Sequence, residues 1–292
     1  MTHSTIASDL LSITISPWGA ELQSIQGPDG HEYLWQGDPT YWKNRATNCF
    51  PMVGRLFEGR YTYGGKSYEL PIHGFAKMQL FSPRQLSGSQ VRFGLSENTE
   101  TLTMYPFAFN LAITYTVEGP TLTVDYEVTN LDEKIMPYLI GGHPGFNMPL
   151  ESGKAFSDYR VRFAEGVTPR RAVPDEAVLD TGGREPWPLD EHQAIALHHG
   201  LFDNDAIFLT DCGHEATLEA VDGGTSLHME FPDFTFLGLW HKPKTEAPYI
   251  CLEPWSESFG KAGVVEDFAS KEEAIHLQPG ETRHHIWRVT IS

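Results

Sequence analysis

The residues of this chain with the most chemical capacity stand in three similar settings. Glu253 closes the short apolar run Tyr249-Ile250-Cys251-Leu252 and is followed at once by Pro254 and Trp255. Proline biases the residue before it towards extended backbone, so Glu253 is expected at the end of a strand, its carboxylate held in one direction. A carboxylate on an apolar strand beside an aromatic ring is costly without a partner or a task. Gly141-Gly142-His143-Pro144-Gly145-Phe146 repeats the arrangement with a histidine, and Pro71-Ile72-His73-Gly74-Phe75 gives a third version. Histidines and carboxylates so placed are the residue types of general acid–base catalysis. The three settings are read as converging on one pocket, with Phe75, Phe146 and Trp255 serving as core or as a platform for a ligand. The structural alternatives are a buried ion pair between Glu253 and an arginine such as Arg55, and hydrogen-bonded turn positions for His73 and His143.

Other chemistries find less support. No Gly-x-Ser-x-Gly elbow, P-loop or GxGxxG occurs, and no cysteine sits beside an obvious base in the sequence. Thirteen histidines are present without an HExxH or a paired-cysteine site, so no structural metal is expected. His198-His199 and His284-His285 are adjacent, and neighbours on a strand point to opposite faces, so neither pair chelates easily if extended.

Strands must position these groups. Period-two alternation dominates: Leu11, Ile13 and Ile15 near the start, then Leu111 to Val117 and Leu122 to Val128 on either side of Gly119-Pro120. The latter pair reads as a hairpin with Thr123, Asp125 and Glu127 on a wet face. Tyr159 to Phe163 alternates, Leu218 to Phe231 reads as a hairpin turning at Asp222-Gly223-Gly224, and Phe234 to Trp240 and His285 to Ile291 give further strand faces. Helical signals are few. Ser270-Lys271-Glu272-Glu273 has capping-box form but Pro279-Gly280 follows soon, so only a short helix is expected there. The stretch 152–199 is read as a long loop excursion. The economical architecture is one all-β domain over residues 1–292, a large antiparallel β-sandwich with few short helices.

The totals agree with a globular chain of 292 residues, 40% hydrophobic and 21% charged. Twenty-one basic against 39 acidic residues give a net charge of -18, which repels a phosphate backbone and argues against a nucleic-acid partner. Residues 1–16 read as a polar start rather than a signal peptide, and no apolar run is long enough to span a membrane. Three widely spaced cysteines (Cys49, Cys212 and Cys251) point away from a disulfide scaffold and towards a reducing, cytoplasmic setting.

Taken in order, Pro51-Met52-Val53-Gly54-Arg55, His73-Gly74-Phe75-Ala76, Gly142-His143-Pro144-Gly145-Phe146 and Leu252-Glu253-Pro254-Trp255 resemble the motifs of the aldose 1-epimerase (galactose mutarotase-like) superfamily. The nearest likeness is to its bacterial branch associated with lactose operons, and it runs from about Trp18 to Glu281. The resemblance implies a β-supersandwich and interconversion of the α and β anomers of a free aldose, without cofactor or metal. It implies Glu253 as general base, His143 as general acid, His73 as a second, sugar-binding histidine and Arg55 as a substrate-binding arginine. One aspartate of Leu201-Phe202-Asp203-Asn204-Asp205-Ala206 should bind sugar; Asp205 is preferred because Ala206-Ile207-Phe208 continues as a strand, with Asp203 as the alternative. Trp255, Phe146 or Phe75 would pack on the sugar's C–H face. The motif neighbours depart from the galactose mutarotases, with Gly-Phe after His73 and Pro-Trp after Glu253. Acid–base roles therefore transfer better than sugar specificity. Two other readings stay open: a non-catalytic sugar-binding or sensing protein on the same fold, and a mutarotase for hexose 6-phosphates, with Lys242 or Arg45 touching the phosphate.

Overall fold

In the computed structural model, which describes residues 2–292, the expected strands assemble into two large sheets whose neighbouring strands pair antiparallel. The nine-stranded sheet runs in the order 194–196, 159–163, 215–220, 226–230, 282–291, 121–130, 109–118, 90–96, 82–85. Its centre is the hairpin Phe109–Glu118/Thr121–Asn130, turning at Gly119. Leu122 pairs with Val117, Val124 with Tyr115, Tyr126 with Ile113 and Val128 with Leu111, and all eight are buried. Alternation does this: side chains two apart share a face, so Thr123, Asp125 and Glu127 are carried to the open side. There Glu127 accepts two hydrogen bonds from Arg92, at 2.6 and 3.2 Å.

The seven-stranded sheet runs 180–186, 170–174, 207–210, 236–240, 249–255, 141–147, 46–49. Its inner face packs on the nine-stranded sheet. Gly142 lies so close to that sheet that a Cβ there would stand 2.9 Å from Trp287 Nε1. Ile250 and Leu252 join the same core as Val124 and Trp287. Each large apolar side chain fully buried in that layer is worth roughly 1.5–3 kcal/mol. A three-stranded sheet, 4–7, 12–15 and 22–26, completes the N-terminal part.

Two expectations change. The stretch 152–199 is not a loop excursion: it holds the strands Tyr159–Phe163, Arg170–Pro174, Asp180–Pro186 and Ala194–Ala196, which extend both sheets. Polar side chains masked it: in this edge hairpin Arg171 pairs with Glu185 across the two strands and Arg184 with Asp180 along one of them. Ser270 to Glu273 forms turns, not a helix: Lys271 is buried against Glu266 at 2.8 Å, and the chain enters the strand Ile275–Leu277. The single α-helix among the described residues is Thr99–Met104, started by Asn98, whose Oδ1 accepts from the N–H groups of Glu100 and Thr101. No helix among the described residues is long and apolar enough to cross a membrane.

Candidate active site

The outer face of the seven-stranded sheet carries the titratable groups. Along Tyr249–Trp255, Cys251, Glu253 and Trp255 point outward while Ile250, Leu252 and Pro254 point to the core side. The neighbouring strand Gly141–Asn147 pairs Gly141 with Trp255 and Gly145 with Cys251, a register that sets His143 opposite Glu253. The two glycines make this fit possible. Gly141 leaves room for the Trp255 indole on one face, where a Cβ would stand 2.6 Å from Cδ1, and Gly142 does so for Trp287 on the other.

Glu253 is 2% exposed and His143 6%. His143 Nε2 stands 3.3 Å from Glu253 Oε2. The carboxylate's partner is thus His143 and not Arg55. Burial pushes the Glu253 carboxyl well above the ordinary range, and the nearby Asp205 adds to this. Burial pushes the His143 imidazole down to about 3. Both shifts have one physical meaning: separate charges are disfavoured here, so the pair holds one proton between its two facing atoms. The ring of His143 is stacked on Trp42, with centroids 4.7 Å apart and planes at 24°. Its Nδ1 is buried with no protein partner.

His73 reaches the same place from a turn. Its φ is +63° and that of Gly74 is +69°; a Cβ on Gly74 would lie 2.1 Å from the Phe50 carbonyl oxygen, so only glycine follows this histidine. His73 Nδ1 accepts a hydrogen bond from the Gly54 N–H at 3.1 Å. That bond places the ring proton of neutral His73 on Nε2, where it can be donated. Burial, then His143, holds the His73 imidazole well below its ordinary range. Its ring meets His143 at 5.2 Å and Trp255 at 5.6 Å, edge to face.

Glu253, His143, His73, Trp255, Arg55 and Asp205 all line one cavity of about 280 Å³. Asp205 sits at φ +80°, two residues before the strand Ile207–Thr210. Asp203 does not line the cavity; it ends the short helix His199–Phe202 and is exposed.

Phe146 is a correction. It follows His143 by three residues, so its ring falls on the opposite face of the strand, fully buried in the main core. Phe75 is likewise core, packed on Phe50, Tyr105 and Phe109. The suggested phosphate contacts are corrected too. Arg45 is turned to Gln23, and Lys242 donates to the Thr40 carbonyl at 2.8 Å; neither lines the cavity. The cationic side chains on the wall are Arg55 and Lys77.

Sequence reasoning also missed the aromatic wall of Trp42, Trp240, Phe208 and Phe259. Only the Pro39-Thr40-Tyr41-Trp42 turn, with an aromatic pair set among polar residues, offered a signal. It missed Cys251 as well. A ring nitrogen of His143, the thiol of Cys251 and the carboxylate of Glu253 lie within 4.8 Å of one another. A cysteine does therefore stand beside a base. A search for spaced ligand motifs passes over it because the donors come from two strands.

The aldose 1-epimerase family model matches residues 2–290. The chain belongs to the aldose 1-epimerase family. It is 33% identical over 300 residues to the protein LacX, plasmid, of Lactococcus lactis subsp. lactis, covering 98% of each chain. It is 26% identical to the galactose mutarotase of Mus musculus, covering 96% of this chain and 91% of that one. The crystal structure of a galactose mutarotase-like protein from Lactobacillus casei ATCC 334 superposes with a TM-score of 0.93 at 32% identity, covering all of both chains. The galactose mutarotase-like sandwich read from the sequence is the fold of this family member.

Proposed function

We propose that this protein is an isomerase of the mutarotase type, interconverting the α and β anomers of a free aldose by opening and closing its ring. The observation that carries the reading is the His143–Glu253 pair, 3.3 Å apart and almost wholly buried on the floor of a cavity sized for one sugar ring. Ring opening needs a proton taken from the anomeric hydroxyl O1 and one given to the ring oxygen O5. The C1–O5 bond breaks as the C1=O1 double bond forms. Rotation about C1–C2 turns the other face of the aldehyde to O5; reclosure forms C1–O5 again, and the two protons return. Glu253 takes the O1 proton and His143 supplies the O5 proton. On closure the roles reverse, so the pair ends each turnover with the proton it began with and needs no outside reset. The sugar's hydroxyls supply the polar surroundings that let the shared proton sit on His143 while Glu253 is a carboxylate. A positioned acid and base typically give about 10²–10⁴ in rate each.

His73 Nε2–H donates to a sugar oxygen, and Arg55 and Asp205 hold hydroxyls through charge-assisted hydrogen bonds. Trp255 packs against the sugar's C–H face. Arg55 and Lys77, both lining the cavity, favour an anionic substituent, so hexose 6-phosphates belong in the substrate panel beside free aldoses. The scheme itself calls on no cofactor, and the partner it calls for is a small sugar.

The test is polarimetry or anomeric proton NMR on freshly dissolved α-D-glucose, α-D-galactose and glucose 6-phosphate with catalytic amounts of protein. Faster equilibration, lost in Glu253→Gln, is expected. Relaxation at the spontaneous rate on all three, with binding seen by calorimetry, would replace the enzyme with a sugar-binding protein on the same fold.

A further inference from the structure

We propose a binding site for one thiophilic divalent cation, of the Zn²⁺ class, at the base of this cavity, held by His143 and Glu253, which line it, and by Cys251, which lies buried behind them. Cys251 and Glu253 are two residues apart on one strand and so share a face, and His143 comes from the strand beside it. Their donor atoms lie within 4.8 Å of one another, and the His143 Nε2 to Glu253 Oε2 distance is 3.3 Å. Zinc bonds of about 2.0–2.3 Å in tetrahedral geometry place donors roughly 3.3–3.8 Å apart. No pair therefore needs to close by more than about 1 Å, within reach of a side-chain rotation. A mixed nitrogen, sulfur and oxygen set favours zinc or cobalt over magnesium or calcium.

Charge supports the same choice. All three side chains are buried, which disfavours a bare carboxylate or thiolate. A dication with one thiolate and one carboxylate is neutral as a unit, so the bound complex suits a dry floor better than either anion alone. Three protein donors leave one tetrahedral position for water or a sugar hydroxyl. The other two cysteines do not belong to the cluster: Cys49 Sγ contacts the Thr47 carbonyl and Cys212 Sγ that of Leu209.

On binding, the Cys251 thiol loses its proton to solvent, and the proton shared by His143 and Glu253 leaves as well. The metal takes the place of that proton. Metal-loaded protein has neither a free base nor a free acid at this floor, so cation and acid–base chemistry exclude one another. In the metal-free protein Cys251 packs beside Trp35, Tyr249 and Ala247.

The test is titration of the full-length, thiol-reduced protein with Co²⁺ alone, followed by absorption spectroscopy. One equivalent should give a thiolate-to-cobalt charge-transfer band in the near ultraviolet and the intense visible bands of tetrahedral cobalt, both erased by Zn²⁺. Cys251→Ser should lose the charge-transfer band and bind at least tenfold more weakly, with an unchanged thermal melt. Should Cys251→Ser fail to fold, Glu253→Gln supplies the check: it should keep the charge-transfer band and bind more weakly. No cobalt binding, binding without thiolate absorption, or equal binding by the variant overturns the site. The spectrum is read without any sugar, so its failure and a failure of the mutarotase reading are separate results.

Discussion

Asn48 and Glu253 are both buried polar residues of the seven-stranded sheet, and they have opposite surroundings. Asn48 faces the nine-stranded sheet. Its Nδ2 donates to the carbonyl oxygens of Gly19 and Ala20, and its Oδ1 accepts from the Tyr126 hydroxyl at 2.8 Å. That hydroxyl in turn accepts from Trp287 Nε1–H at 3.1 Å. Every polar group of this network is answered by protein. Glu253, on the other face, has one facing partner, His143, whose Nδ1 is left without any. Buried polar groups are nearly always hydrogen-bonded because an orphan costs about 1–3 kcal/mol. The first network therefore holds the two sheets in register. The second keeps its capacity for something that enters the cavity. The difference teaches that burial alone does not mark a site; a buried acid–base pair with an unanswered atom, set beside a cavity, does.

The largest expected effect separates the two networks outright. Glu253→Gln should lower the rate of anomer interconversion by about 10²–10⁴ while the melting temperature stays level or rises, since a buried ionisable group has been removed. His143→Asn should do the same. Polarimetry beside calorimetry reads both quantities, and a folded variant with near-normal activity would undo the role assignment.

Acid sharpens the contrast next. His285 and His241 are fully buried, and burial pushes each down to about 4. In the unfolded chain they titrate near 6.5. As the pH falls the unfolded state takes up these protons first, so their contribution is present above about pH 6.5 and is lost on the way to 4. Each histidine contributes on the order of 3 kcal/mol to this loss at most. The melting temperature should fall between about pH 7 and pH 4.5, and His241→Gln should flatten the slope. A slope equal in wild type and variant would show that His241 does not stay neutral in the fold.

Tyr126→Phe tests the answered network from its own side. It leaves Asn48 Oδ1 and Trp287 Nε1 unpaired, so stability should drop by about 1–3 kcal/mol with activity per folded molecule unchanged. Denaturant unfolding and the anomer assay read the two halves. A loss of activity without a loss of stability would mean that this network reaches the cavity.

The two networks also differ in how far they were legible in the sequence. Strict alternation around Gly119-Pro120 wrote out the hairpin of the nine-stranded sheet, because one wet face and one dry face leave a period-two record. Glu253, His143 and His73 were legible for another reason: a titratable residue next to Gly, Pro and an aromatic is locally odd. Parity misled the reading of Phe146, since adjacency in sequence suggested shared placement while the strand sent His143 and Phe146 to opposite faces. The edge hairpin 170–186 left no period-two record, its few apolar residues (Ala172, Val173, Val178 and Leu179) being scattered among charged ones. Trp42 and Cys251 were hidden because what makes them notable is a neighbour from a different strand or loop, and such contacts have no local signature.

That edge hairpin provides the smallest and most discriminating effect. Its tip carries Val178 at φ +60°, a left-handed conformation that is rare for a β-branched residue. The turn is held from both sides. Asp175 Oδ1 accepts from the N–H groups of Ala177 and Leu179, and Asp180 accepts two hydrogen bonds from Arg184 and one from Ser258. Val178 lines the cavity, so the strain lies at the wall and not in the core between the sheets. Val178→Gly relieves roughly 1–2 kcal/mol of backbone strain and loses about 0.5–1 kcal/mol through the greater freedom of the unfolded chain. With some side-chain packing also lost, the net change in stability should stay within about 1 kcal/mol, while the KM for sugar shifts severalfold and kcat holds. If the variant instead loses the 2 kcal/mol or more expected of a truncated core side chain, the tip belongs with the answered, structural half of the molecule. The boundary between the two regions would then run through the cavity wall instead of through the plane of the seven-stranded sheet.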